Sequence, residues 1–191
     1  MKILLYGFGN PGKLYMSTRH NIGMMFLNRF LRYEKINSSW IKKQNLTEII
    51  EYKNIICARP LVNYNIIGTS IASLLKLHID YNTIILIHDD LKLSLGEVKV
   101  NYTDNNMDLL NLDKVWNIYY RRSHYGNNAL RSIFSHAELV NKNFIYIRIG
   151  TGYNELETHS DHVLGKVNTQ ESIVYNAIFD KLIEHLSNFI V

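Results

Sequence analysis

The sequence predicts an α/β fold, a single layered domain in which a mixed, mostly parallel central sheet is flanked by helices. Short apolar runs of strand length, rich in isoleucine and tyrosine, recur along the chain, and stretches with apolar residues at three- and four-residue steps lie between them. With 191 residues, 47% of them hydrophobic, the chain is long enough for one full core. We therefore expect one domain over residues 1–191.

The predicted strands are, in chain order, KILLYGFG, TEIIEYK, NIICARPL, TIILIHD, EVKVNY and NFIYIRIGTG. The second and third are nearly contiguous, so they predict an antiparallel hairpin at one side of the sheet. Helices are predicted over residues 21–36, 66–77 and 169–189, because each range carries an apolar stripe. Residues 102–120 begin polar and then become apolar without a firm period, which predicts an inserted loop.

Composition and charge limit the class of protein. No run of about 18 apolar residues is present, so a soluble protein is expected. Cys57 is the single cysteine and lies in the apolar run IICA, which predicts a buried thiol. The net charge is +4, yet the segment from residue 155 onward holds six acidic residues and two lysines. The positive excess therefore lies in residues 1–154, which is weak support for a polyanionic partner.

The stretch YGFGNPG fits the dinucleotide-binding pattern G-x-G-x-x-G. That pattern requires a helix that begins within the glycines, so that free N–H groups face a pyrophosphate. Here Pro11 removes one N–H group, and the polar cluster STRHN predicts a later helix start. The first downstream carboxylate, Glu34, falls in a helical pattern and does not end a strand. A nucleotide-dependent oxidoreductase is thus a minor alternative.

Five polar residues lie just past the ends of apolar runs or at predicted helix starts: Asn10, His20, Asn65, Asp89 and Asn128. Ligands bind at the carboxyl edge of open α/β sheets, where these residues are expected to gather. A histidine beside a carboxylate acts as a general base on water, and amides donate hydrogen bonds to an ester and its developing oxyanion. The set predicts hydrolysis without a metal.

Two segments place histidines close to acidic residues or to each other, a pattern that could indicate a metal site. His88 adjoins Asp89 and Asp90, but neighbouring residues of a strand point to opposite faces. His159 and His162 lie in HSDH, which we interpret as a polar loop with no helix to align the two rings. No metal and no cofactor are therefore predicted.

The sequence resembles the bacterial-type peptidyl-tRNA hydrolase family over nearly its whole length apart from residues 102–120. GFGNPGKLYMSTRHNIG is similar to the family's opening signature, and further similarity lies in IHDDL, PLVNYNIIG, HYGNNALRSI, FIYIRIGTG and VLGK. The resemblance implies hydrolysis of the ester between a peptide and the 3′ ribose of tRNA. It implies no cofactor, and we expect a monomer.

The resemblance also implies roles for individual residues. His20 is the implied base, Asp89 its orienting partner and Asn10 the residue that positions substrate and water. Substrate contacts are implied for Tyr15, Tyr64, Asn65 and Asn128. Contacts with the tRNA 5′ phosphate are implied for Lys99 and Arg148.

The chain departs from the family pattern at two positions of the implied site. Tyr64 replaces a methionine, and Asn101 replaces a second phosphate-binding lysine. The second change predicts weaker tRNA binding with a shallower salt dependence. Arg121 and Arg122 are close enough in the sequence to compensate.

Two questions stay open at the level of sequence. Some relatives of this family are RNA-binding splicing factors, so a catalytically weak or inactive RNA-binding homologue is the alternative to the enzyme. The acid-free, basic first 33 residues resemble a mitochondrial transit composition, but they contain Asn10 and His20. A cytoplasmic or mitochondrial protein without a cleavable targeting segment is expected.

Overall fold

The computed structural model describes residues 2–77, 81, 83–102, 118–120, 124, 126–136, 139, 144–153 and 155–188. Within these ranges the strands are β1 Ile3–Gly7, β2 Ile41–Lys43, β3 Thr47–Tyr52, β4 Ile55–Pro60, β5 Thr83–Asp90, β6 Val98–Tyr102, β7 Ile118–Tyr120 and β8 Ile145–Gly150. The α-helices are α1 Ile22–Tyr33, α2 Ile67–Leu75, α3 Asn128–Ser135, α4 His159–Leu164 and α5 Thr169–Ser187. Short 3₁₀ turns span Lys13–Tyr15, Arg19–Asn21 and Tyr64–Ile66.

The strands form one eight-stranded sheet in the order β2-β3-β4-β1-β5-β8-β6-β7. Its centre, β4-β1-β5-β8, is parallel, whereas β3 is antiparallel to β4 and β6 is antiparallel to β8. The predicted fold class and the hairpin of β3 and β4 are therefore confirmed. The predicted insertion falls mostly on residues 103–117, which lie outside the described residues. At its two ends, Tyr102 closes β6, and Ile118–Tyr120 pairs in parallel with β6.

Two cores cover the two faces of the sheet, because alternate strand residues point to opposite sides. Ile3 and Leu5 of β1 lie in the core beneath α1 and α5, while Leu4 and Tyr6 lie in the core beneath α2 and α3. Parallel strands buried on both faces read as continuous apolar runs, which explains ILLY and TIILI. No helix in the described ranges combines the length and apolar character needed to cross a membrane.

The start of α1 is held against the sheet by two glycines. A Cβ atom on Gly23 would lie 2.2 Å from the backbone oxygen of Ile87, and one on Gly7 would lie 2.4 Å from the oxygen of Gly23. The N–H group of Met24 donates to the Phe8 oxygen at 3.1 Å. This close approach brings the turn before α1, which contains His20, to the carboxyl ends of β1 and β5.

Replacing Gly23 with alanine is expected to lower the free energy of unfolding by about 1–3 kcal/mol, because the added methyl group must push α1 away from β5. Urea unfolding measures the change. Asn28→Ala, a partly exposed substitution on the same helix, serves as the control and is expected to change stability by less than about 0.5 kcal/mol. Equal stability of Gly23→Ala and the wild type would contradict the tight contact.

Candidate active site

A cleft of about 600 Å³ opens at the carboxyl ends of β1 and β5. Its lining includes every residue predicted to act in catalysis or to contact substrate: Asn10, Tyr15, His20, Tyr64, Asn65, Asp89 and Asn128. The sheet topology explains this convergence, since β1 and β5 are adjacent parallel strands whose loops leave on the same edge. His159, from α4, contributes to another part of the lining.

His20 and Asp89 form a hydrogen-bonded pair in this cleft. The Nδ1 atom of His20 lies 2.9 Å from Oδ2 of Asp89, whose side chain is only 3% exposed. Burial by itself would raise the pKa of Asp89, but the charge and hydrogen bond of His20 and the hydrogen bond of Tyr64 lower it overall. An ionised carboxylate only accepts hydrogen bonds, so Nδ1 carries the proton and the lone pair of the neutral ring lies on Nε2.

The backbone of Asn10 is held by hydrogen bonds with Asn21. From the sequence, Asn21 was predicted only to belong to the polar start of a helix. Oδ1 of Asn21 accepts from the Asn10 N–H group at 2.8 Å, and Nδ2 of Asn21 donates to the Asn10 backbone oxygen at 2.9 Å. Oδ1 of Asn10 accepts from the N–H group of Tyr64 at 2.8 Å. Among the described residues Nδ2 of Asn10 has no protein partner, so it is a hydrogen-bond donor for a molecule in the cleft.

Tyr64 lies at the centre of the polar network. Its hydroxyl group donates to Oδ1 of Asp89 at 2.6 Å, and its ring stacks on the His20 imidazole with centroids 3.4 Å apart. Burial, followed by the charge of Asp89, raises the pKa of Tyr64 well above its ordinary value, so the hydroxyl keeps its proton. Tyr64 was predicted to contact substrate, and its hydrogen bond with Asp89 was not foreseen.

Asn127 is a second residue of the network, and its role is not evident from the sequence pattern. Its Oδ1 atom caps α3 by accepting from the N–H groups of Ala129 and Leu130, and its Nδ2 group donates to the Tyr64 hydroxyl at 2.7 Å. Asn128, which is predicted to contact substrate, is exposed at the start of α3 and lines the cleft. The two adjacent asparagines therefore have different surroundings: Asn127 is hydrogen-bonded to Tyr64, whereas Asn128 is exposed to solvent.

The turn that carries His20 is tied to the C-terminal helices by its neighbour Arg19. The Nε atom of Arg19 donates to Oε1 of Glu171 at 2.8 Å, and Nη1 donates to the backbone oxygen of His162 at 3.0 Å. Both members of the ion pair have side chains less than one-sixth exposed. Arg19 therefore holds this turn between α4 and α5.

The HSDH segment differs from the polar loop predicted for it, since His159–Leu164 form α4. Thr158 caps this helix, and its side chain accepts from the N–H group of Asp161. His162 is buried between Oε1 of Glu157, at 2.7 Å, and Oγ1 of Thr151, at 3.2 Å. Within the described ranges no three histidine, cysteine or acidic side chains come close enough together to bind a metal.

Two of the residues predicted to bind phosphate, Lys99 and Arg148, lie on the neighbouring strands β6 and β8. Arg148 is 6% exposed and donates from Nε to Oδ2 of Asp90 at 2.7 Å and from Nη1 to Oδ1 of Asn101 at 3.2 Å. Lys99, opposite Arg148 in the register of β6 and β8, forms an ion pair with Glu97 at 3.2 Å. Arg121 and Arg122 lie outside the described residues. Phosphate binding by Arg148 stays a prediction, and it requires the guanidinium to be shared with Asp90.

Replacing Arg148 with alanine is expected to lower the free energy of unfolding by about 3–5 kcal/mol, because it leaves the Asp90 carboxylate buried without its charged partner. Thermal or urea unfolding measures this loss. Arg29→Ala is the matched control, since the Arg29–Asp180 pair is more than one-third exposed on each side and is expected to contribute at most about 1 kcal/mol. Similar losses for the two variants would contradict the structural role of the buried pair.

Comparisons with known proteins identify the family of this chain. A model of the peptidyl-tRNA hydrolase family matches residues 4–191. The chain is 28% identical to the peptidyl-tRNA hydrolase of Oceanobacillus iheyensis, with 98% of this chain and 91% of that protein covered. It is 32% identical to the peptidyl-tRNA hydrolase of Mycoplasmopsis agalactiae, with 94% and 84% covered.

The fold has a counterpart among solved structures. The crystal structure of peptidyl-tRNA hydrolase from Acinetobacter baumannii superposes with a TM-score of 0.72, covering 96% of this chain and 85% of that one. Its sequence identity is 23%, so this likeness concerns the fold alone. The family match extends over almost the whole chain and does not depend on that superposition. The resemblance noted in the sequence is confirmed, and the chain belongs to the peptidyl-tRNA hydrolase family.

Proposed function

We propose that this chain hydrolyses peptidyl-tRNA with His20 as the general base. The family cleaves the ester that links a peptide to tRNA, and both relatives named above are peptidyl-tRNA hydrolases. The observation that carries the residue assignment is the hydrogen bond of 2.9 Å between Nδ1 of His20 and Asp89, which leaves Nε2 available on a ring that lines the cleft. Asn10 supplies an amide donor in the same cleft.

The reaction follows from these positions. Nε2 of His20 takes a proton from water, and the water oxygen bonds to the carbonyl carbon of the ester. Nδ2 of Asn10 donates to the substrate as negative charge develops on the carbonyl oxygen. The bond between that carbon and the ribose oxygen then breaks, and the ribose oxygen takes the proton back from His20. The products are a peptide with a free carboxyl group and tRNA with its terminal hydroxyl restored.

The tRNA contacts belong to the same proposal. Asn65 and Asn128 are exposed side chains of the cleft, suited to hydrogen bonds with the peptide backbone and the tRNA end. Tyr15 provides a partly exposed ring in the same lining. Lys99, Arg148, Arg121 and Arg122 are proposed to bind the 5′ phosphate. A monomer without metal or cofactor, in the cytoplasm or the mitochondrion, completes the proposal.

The test is release of free tRNA from an N-acetyl-aminoacyl-tRNA with no metal added. Turnover by the wild type supports the proposal. A protein that binds this tRNA without cleaving it would overturn the proposal in favour of the RNA-binding alternative. Binding of NAD, followed as a thermal shift, would favour the oxidoreductase, although α1 begins at Ile22, well beyond the glycine loop.

A further inference from the structure

The Asp89 carboxylate has two oxygens, and each accepts from a different side chain. Oδ2 faces Nδ1 of His20 at 2.9 Å, and Oδ1 faces the Tyr64 hydroxyl at 2.6 Å. Asp89 is 3% exposed and Tyr64 is 2% exposed. Hydrogen bonds to a charged group are stronger where water is excluded, so the bond from Tyr64 is expected to affect how Asp89 interacts with His20.

The direction of each bond is fixed by the groups involved. The amide Nδ2 of Asn127 can only donate, so the Tyr64 oxygen accepts from it at 2.7 Å. The single hydroxyl proton of Tyr64 is then directed to Asp89, which as a carboxylate can only accept. The result is a one-way series of donors from Asn127 to Tyr64 to Asp89, with His20 donating to the other oxygen of Asp89.

Tyr64 also contacts His20 directly. The two rings are stacked with an interplanar angle of 16° and a centroid separation of 3.4 Å. This contact covers one face of the imidazole and limits rotation of the ring about its Cβ–Cγ bond. The backbone of Tyr64 is itself held by Oδ1 of Asn10, so the three proposed catalytic residues all contact this one tyrosine.

We propose that Tyr64 is a positioning residue that binds and orients both members of the His20–Asp89 pair and draws part of the Asp89 charge away from His20. This inference rests on the proposed hydrolase function and deepens it. A methionine, the residue that the family resemblance implies at this position, has no hydroxyl group to donate. The catalytic pair of this chain is therefore a unit of three side chains supported by Asn127.

The expected signature is a change in pH dependence. Besides Tyr64, the titratable or charged groups around Asp89 are His20 from the turn before α1, Tyr175 from α5, His88 and Asp90 from β5, and Arg148 from β8, which pairs with Asp90. Burial raises the pKa of Tyr175, so its hydroxyl group keeps its proton. Burial lowers the pKa of His88, so this ring is neutral at neutral pH, and Asp90 is already paired with Arg148. Among these groups, the Tyr64 hydroxyl shares the Asp89 carboxylate with His20. Removing it is therefore expected to change the interaction between Asp89 and His20 most directly.

The test compares the dependence of kcat/KM on pH in the wild type, Tyr64→Phe and Tyr64→Met with N-acetyl-aminoacyl-tRNA. Without the hydroxyl group, Asp89 stabilises the imidazolium form of His20 more strongly, so the neutral base persists only at higher pH. The acid limb is expected to move upward by roughly 0.5–1 pH unit in both variants. Two variants are used so that poor folding of one, seen by circular dichroism, does not prevent the measurement.

Tyr6→Phe is the matched control. It removes a buried hydroxyl group that bonds Oγ of Ser70 at 2.6 Å outside the cleft, so it is expected to lower stability without moving the acid limb. In an Asp89→Asn background, Tyr64→Phe should produce no further shift, because the hydroxyl acts through the carboxylate. An unshifted acid limb in both folded Tyr64 variants, or the same shift in Tyr6→Phe, would overturn the inference. An inactive wild type would instead refute the proposed function, so the two failures are distinguishable.

Discussion

Replacing His20 with alanine is expected to lower kcat for N-acetyl-aminoacyl-tRNA by about 10²–10⁴-fold, the contribution commonly made by a positioned general base. The imidazole lines the cleft, and Nε2 has no protein partner among the described residues. The remaining amides of the cleft still bind the ester and its oxyanion, so some turnover should persist. Single-turnover cleavage at saturating enzyme measures the chemical step apart from product release.

Binding separates this effect from a loss of structure. The Kd of His20→Ala for the same tRNA is expected to stay within about threefold of the wild-type value, since phosphate contacts supply most of the affinity. His185→Ala, in the last turn of α5, is a matched histidine control that should leave both quantities unchanged. If turnover by His20→Ala matched that of the wild type, another group would have to be the base.

The main elements of the fold could be predicted from the sequence because buried parallel strands and helices with one apolar face have distinct periods. The strand β2 has three residues, two of them exposed, so it shows no apolar alternation. The helix α4 has six residues, too few for a stripe, and it depends on the cap at Thr158. Such short elements are set by their neighbours and by capping, which the sequence pattern does not reveal.

The position of the cleft could also be predicted, because strand ends and helix starts are visible as changes from apolar to polar residues. The hydrogen-bond partner of each side chain was harder to predict from the sequence. Asp89 and Asp90 are adjacent, and the alternation of β5 sends the first to His20 and the second to Arg148. Asn127 and Asn128 are identical residue types next to each other, so the sequence does not distinguish them. The position of Asn127 as the N-cap of α3 directs its side chain inward. These choices depend on side-chain contacts between distant elements.

Replacing Asp89 with asparagine, a side chain of nearly the same size and shape, is expected to lower kcat by roughly 10²–10⁴-fold. Both neighbours of this carboxylate donate to it, His20 to Oδ2 and Tyr64 to Oδ1. An amide has only one oxygen to accept and presents an NH₂ group at its other end. One of the two contacts must therefore change.

Either arrangement of the amide has a specific cost. With its NH₂ group toward His20, the ring must take the opposite tautomer, with the proton on Nε2 and no lone pair facing the cleft. With its NH₂ group toward Tyr64, it competes with Asn127, which already donates to that hydroxyl at 2.7 Å. The charge that stabilises the imidazolium is lost in both cases. The rate should fall across the whole pH range instead of recovering at high pH.

Asp90→Asn distinguishes this loss from a general effect of removing a buried carboxylate. Asp90 pairs with Arg148 and does not contact His20, so its variant should lose stability in urea while the rate of the folded enzyme changes little. Asp89→Asn should show the reverse pattern, with a large loss of rate at nearly unchanged stability. If both variants lost rate equally, the two carboxylates would act as one charge, and assigning the orientation of His20 to Asp89 alone would be wrong.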